Sequence, residues 1–337
     1  MNEQDRQHRI SRRELLARTA KAGVSVAALG GLAAWLYKRP ALQFGTVGGS
    51  VTMPDFSLPE LRGQMAIITG ADRTQTVRRG LAALGGIGKF IANGDRVVLK
   101  VNAAFSSAPM LSATAHPDVV SEVVRQCLTA GAESVVVTDN SINDPVSCFA
   151  LSGIGPAARS AEAKVVLPKA SDFRLMSLPG GKLIRDWPVL YGPLEGANKL
   201  IGITPVKDHA RSGASMSMKN FYGLLGGRRN IFHQNINTII KELAMLVRPT
   251  LVVLDGTTSM MHNGPTGGSL DDLKQTNTMI LSTDPVAADA FGATLLEKSP
   301  TELPYIAMAA EAGVGTADYE SLNPRRADVG GEMESSL

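Results

Sequence analysis

The sequence predicts an α/β fold, a mostly parallel sheet with flanking helices in three layers, preceded by an N-terminal signal helix. Three observations carry that expectation. Short apolar runs of strand length alternate with segments of helical spacing, the order expected of parallel strands joined by crossover helices. Polar residues recur where those strands end. A basic leader precedes an uncharged stretch of 16 residues, Ala22 to Tyr37.

The leader comes first in the chain. Residues 2–21 are polar and basic and contain Ser11-Arg12-Arg13-Glu14-Leu15-Leu16. This resembles the twin-arginine consensus of a hydroxyl residue, paired arginines, a variable residue and two apolar ones. The uncharged run falls short of the roughly 20 residues of a membrane span, and it has no polar face to sit on a globular core. The resemblance implies the twin-arginine translocase as a partner and a periplasmic destination. Lys38-Arg39 follow, and no Ala-x-Ala site marks a cut. A retained membrane tether through residues 22–37, facing the periplasm, is therefore the alternative.

Residues 41–64, rich in Gly, Pro and Ser without a period, read as a linker. The α/β domain is expected over 65–300. Met65 to Thr69 is a strand, and Thr74 to Leu84 a helix ended by Gly85-Gly86. After the Asn93-Gly94-Asp95 turn, Arg96 to Val101 is a buried strand. Pro117 opens a helix that Gly131 caps. Ser134 to Thr138, Leu200 to Thr204, Leu251 to Leu254 and Thr278 to Ser282 are further strands. Ile236 to Val247 and Pro285 to Leu296 are helices. Residues 301–337 read as a C-terminal helix and a frayed polar tail.

Composition narrows the function. The 337 residues are 44% hydrophobic and 19% charged, an ordinary globular balance. The formal charge of +3 is an effect of the leader, because residues 41–337 hold 26 basic and 28 acidic residues. With 5% aromatics as well, neither a basic nucleic-acid face nor a base-stacking platform is indicated. Cys127 and Cys148 are the two cysteines, too few for an on-chain iron–sulfur cluster. Cys127 falls on a buried helix face and reads as a free core thiol.

In open α/β sheets ligands lie beyond the carboxyl ends of the strands. Here Lys100 and Asn102 follow one strand, Asp139 and Asn140 the next, Lys207 and His209 a third, Asp255 a fourth and Asp284 a fifth. Asp284, directly before Pro285, reads as a helix cap. Lys100 and Lys207 beside apolar strands require an anionic partner or solvent. The segment from Lys207 to His233 gathers Lys207, His209, Lys219, Asn220 and His233 among small residues. Ser212 and Gly213 suit a tight loop with free amides that binds anions. Gly264 and Gly267 belong to a second glycine loop, Asn263 to Gly268, which lacks the ending of a P-loop. Lys100, Asn102, Asp139, Lys207, Ser212, Gly213, Asn220, Gly264 and Gly267 are thus candidate cofactor contacts. His116, His209 and Lys219 are candidate catalytic groups, and His233 with His209 a candidate metal pair. No HExxH pattern or nucleophile elbow is present.

Val98-Leu99-Lys100-Val101-Asn102, Ala115-His116-Pro117 and Val137-Thr138-Asp139-Asn140 resemble the first half of the family called domain of unknown function 362. Lys207-Asp208-His209 and Lys219-Asn220-Phe221-Tyr222-Gly223 resemble its centre. Asp255-Gly256, the Asn263 to Gly268 loop and Thr283 to Asp289 resemble its last third. The match runs over about residues 65–300, with Val101 where the family commonly has Pro. Many relatives carry ferredoxin-type cysteines, which this chain lacks. The spacing of His209, Lys219 and His233 also resembles lactate racemase, which holds a nickel-pincer nucleotide. That likeness implies Lys219 as a tether, His233 as a ligand, and His116 and His209 as acid/base groups.

The expected function is binding of an anionic or metal-bearing cofactor or substrate, such as a phosphate-bearing one, at the strand ends, with His/Lys acid–base chemistry. A non-catalytic periplasmic binding protein, or a partner of a membrane redox complex, is the competing expectation.

Overall fold

The computed structural model describes residues 51–330. The twin-arginine segment, residues 41–50 and residues 331–337 lie outside the described residues. The fold is α/β, with a large, mostly parallel central sheet. Its strands are β1 (Met65–Thr69), β2 (Arg96–Val101), β3 (Ser134–Thr138), β4 (Lys164–Val166), β7 (Lys199–His209), β8 (Gly213–Ser215), β9 (Leu251–Met260), β10 (Leu273–Ser282) and β11 (Arg325–Asp328). Their order is β11-β1-β10-β9-β7-β2-β3-β4, with β8 on the tip of β7. A separate two-stranded ribbon joins β5 (Phe173–Met176) to β6 (Trp187–Leu190).

Alternation within each strand sorts side chains to the two faces. Val98, Leu200, Val252 and Ile280 enter one core with the helices Ile236–Leu246, Pro285–Leu295 and Pro304–Glu311. Val97, Leu99, Ile201, Val253 and Leu281 enter the other, under the helices Arg73–Ala83, Pro117–Thr129 and Ile154–Ser160. Helix starts follow local chemistry. Asp72 accepts from Gln75 N at 3.0 Å. Asp284 accepts from Val286 N and Ala287 N at 2.9 and 3.0 Å, the capping role expected of it.

Several elements differ from the sequence reading. Residues 51–64 are no free linker, because Met53 and Phe56 are buried in the first core. The polar tail is not frayed throughout: Arg325–Asp328 pair in parallel with Ala66–Thr69. Three strands outrun their apolar cores. β7 continues to His209, β9 to Met260, and β10 begins at Leu273. Their tips are polar, so hydrophobic pattern does not mark them; hairpin pairing of Leu273 with Met260 and of Lys207 with Ser215 extends them. β10 runs antiparallel to β1 and β9. Its carboxyl end, and Asp284 with it, therefore lies at the sheet edge opposite the ends of β2, β3, β7 and β9. Cys127 and Cys148 are both buried free thiols, and burial pushes Cys127 up to about 12.

Candidate functional site

The carboxyl ends of β2, β3 and β7 open into one cleft. Asn102, Asp139, Asn140, Lys207, His209, Ser215, Lys219, Asn220, Tyr222, Arg229 and His233 are among its lining residues. Parallel register brings the strand ends side by side. The short helix Ser217–Asn220 then lays Lys219 and Asn220 across them.

The floor is an ion pair. Lys100 Nζ lies 2.7 Å from Asp139 Oδ1, with both side chains buried. Lys100 also donates to Val101 O and Asn220 Oδ1 at 2.7 and 3.1 Å. Asp139 Oδ2 accepts from Ala103 N at 2.7 Å. Asn220 Nδ2 in turn donates to Lys100 O and Ile203 O at 2.9 and 3.3 Å. Gly223 closes over the pair. A Cβ there would fall 2.2 Å from Asp139 Oδ1.

Above the floor, cations outnumber carboxylates. Lys207 Nζ donates to neutral oxygens, Asn102 Oδ1 at 3.2 Å and Ala113 O. Burial first, and then Lys219, lower Lys207 to about 7. Lys219 Nζ sits 5.4 Å from the Tyr222 ring centre. It has no carboxylate partner among the described residues. Burial and Arg229 lower it to about 8. Arg229 spans the rim, donating to Asn140 O at 2.8 Å and Ser141 O at 3.2 Å.

The two imidazoles of the cleft stack with ring centres 6.0 Å apart. His209 Nδ1 accepts from the backbone N–H groups of Arg211 and Ser212 at 3.2 and 3.3 Å. Its ring proton therefore sits on Nε2. Burial, then Lys219, lower His209 to about 3, so it is a neutral donor. His233 has the opposite tautomer. Its Nδ1 lies 3.1 Å from Asn230 O and 3.2 Å from Tyr222 Oη, whose own O–H donates to Arg229 O. A carbonyl only accepts, so Nδ1 carries the proton and Nε2 keeps a lone pair. Burial also lowers His233.

The expected contacts do not all converge. Lys100 lies under the cleft and holds Asp139. Ser212 and Gly213 form a β7–β8 hairpin rather than an open anion loop. The Ser212 amide is spent on His209, and its hydroxyl donates to Ala214 O at 2.7 Å. Gly264 is required by the chain itself, since a Cβ would meet Asp208 O at 1.9 Å. Gly267, at φ 56°, packs beside Met260, and only Pro265 of this loop reaches the lining. His116 stands outside the lining. Its Nδ1 accepts from Asp118 N at 3.3 Å at the start of its helix. Asp255 is likewise engaged elsewhere, by Arg73 at 2.7 Å.

The metal pair fits poorly. No group of three His, Cys, Asp or Glu converges among the described residues. His209 would have to surrender two amide bonds or its Nε2 proton to become a ligand. Tyr222 and Arg229 escaped the sequence reading of the site. They stand on two successive short helices, Phe221–Leu224 and Arg229–Asn235, and only the fold brings Arg229 to Asn140 and Tyr222 to His233, although Tyr222 lies within the Lys219 to Gly223 motif.

The thylakoid-associated protein sll1697 of Synechocystis is 26% identical over 269 residues, covering 75% of this chain and 77% of that protein. The lactate racemase apoprotein of Thermoanaerobacterium thermosaccharolyticum has a TM-score of 0.40 at 11% identity, over 71% of this chain and 58% of that one. At that distance no residue role carries over from the racemase. The model of the domain of unknown function DUF362 matches residues 97–294, and the chain belongs to that family.

Proposed function

We propose that the cleft binds a small carboxylate- or phosphate-bearing anion and moves a proton at it. The charge balance of the lining carries this reading. Lys207, Lys219 and Arg229 face the cleft, while its carboxylate, Asp139, is already held by Lys100 and Ala103 N. Burying cations without counter-charge costs free energy, and their lowered pKa values register that cost. An anion at Lys219 restores the balance.

The imidazoles complete the chemistry. His209 Nε2–H donates a hydrogen bond without carrying charge. His233 Nε2 accepts a proton. A neutral donor and a neutral base, set side by side, are the parts of general acid–base catalysis near neutral pH. Calorimetric titration of the full chain with inorganic phosphate and with lactate tests the binding. Lys219→Ala should weaken the better ligand at least about tenfold, the scale of a charged hydrogen bond. Unchanged affinity in Lys219→Ala, or no binding of either anion by the wild type, would sink the reading.

The paired Arg12-Arg13 support export in the folded state through the twin-arginine translocase. The name of the Synechocystis relative, thylakoid-associated, supports a site of action at a membrane. No helix among the described residues is long and apolar enough to cross one.

A further inference from the structure

Lys219 differs from the other buried lysines in what its amine is doing. Lys100 is spent on Asp139, Val101 O and Asn220, and Lys207 on Asn102 and Ala113 O. Lys219 Nζ has no hydrogen-bond acceptor among the described residues; its contact is the face of Tyr222. Only 9% of the residue is exposed, and it lines the cleft. Lysines become nucleophiles in such surroundings, where desolvation and neighbouring cations favour the neutral amine. Both conditions hold here, with Arg229 near enough to act on Lys219, and Lys219 on both imidazoles.

We infer that Lys219 is a covalent site, forming an imine with the carbonyl carbon of a 2-oxo acid. The inference rests on the anion reading, since the third N–H of the Lys207 ammonium would hold the carboxylate beside that carbonyl, with the charge of Arg229 at the rim. The step balances without any redox partner. The neutral amine's lone pair attacks the carbonyl carbon as the C=O π bond opens onto oxygen, and that oxygen takes a proton from solvent. The resulting carbinolamine loses that oxygen as water, leaving a protonated C=N bond. His233, lining the same cleft, would take the amine proton on Nε2 and return it to the departing hydroxyl, and His209 Nε2–H would hydrogen-bond the oxygen while charge develops on it.

Trapping tests it. The full chain is incubated with pyruvate and cyanoborohydride between pH 6 and pH 9, digested, and mapped by mass spectrometry. The reduced adduct should appear on the Lys219 peptide. Its rate should rise about fiftyfold from pH 6 to pH 8, as the amine loses its proton. Lys219→Arg, which cannot form an imine, should abolish it. No adduct above the Lys219→Arg background, or one spread evenly over surface lysines, overturns the imine. Lactate binding measured alongside separates the two readings. Binding without trapping overturns the imine alone. Trapping on Lys219 without binding of either lactate or phosphate upholds the imine and removes the anion reading.

Discussion

At the scale of single residues, opposite protonation requirements meet in one cleft. Anion binding uses the ammonium form of Lys207 and Lys219, so affinity should fall as pH rises through about 7 to 8. The same groups set a stability trend. Their folded values lie below the ordinary 10.5, so between those values and 10.5 the unfolded chain binds more protons. Stability without anion should therefore rise with pH across that window. Thermal unfolding from pH 6.5 to pH 10 checks this. The rise should be smaller in Lys219→Ala, and phosphate should raise Tm at pH 6.5 but not at pH 10. Lys100 obeys a different rule, because its partner is inside the protein. Lys100→Met leaves Asp139 buried without its cation and should cost about 3–5 kcal/mol in urea unfolding. Adding Asp139→Asn should restore part of that. A variant as stable as the wild type would show that the floor is not an ion pair.

At the scale of elements, Asp289 explains why a helix of four residues stays in place. Its side chain is fully buried in the helix Pro285–Leu295. It accepts from Ser217 N at 2.7 Å and Met218 N at 3.2 Å, the first amides of the turn that presents Lys219 and Asn220. Asp289→Ala should cost about 1–3 kcal/mol, because two buried donors lose their acceptor. It should also weaken anion binding, although Asp289 is absent from the cleft lining; unaltered affinity would assign it to stability alone. Gly264 makes the matching case on the other side. Gly264→Ala forces the loop away from Asp208, next to His209, and should lower both Tm and anion affinity. These dependencies were only partly legible in the sequence. Strand cores such as Val97–Val101 announce themselves by apolarity, and His209, Lys219 and His233 by chemistry. The polar tips of β7, β9 and β10 do not, since hairpin pairing and not an apolar pattern extends them. Asp284 shows the same limit. A strand end was recognisable there, but its edge of the sheet depended on β10 running antiparallel.

At the scale of the molecule, the topology bears on the proposed export. β1, early in the chain, pairs with β10 and with β11, so Ala66 meets Leu281 on one side and Arg325 on the other. The sheet closes only after nearly the whole chain has been made. Between those ends, Lys100 and Lys207 must be sealed beside Asp139, Asn102 and Ala113. An unfolded chain threaded through a membrane would assemble these buried charges afterwards. A chain exported already folded carries them assembled, with any ligand of the cleft in place, and the paired arginines ahead of residue 51 suit that route. In a host with a twin-arginine translocase, Arg12→Lys with Arg13→Lys should leave the protein in the cytoplasm. The retained precursor should already resist protease over residues 51–330 as the exported form does. Cell fractionation followed by limited proteolysis reads both outcomes. Undiminished export of the double variant, or a protease-sensitive cytoplasmic precursor, would refute folding before transport.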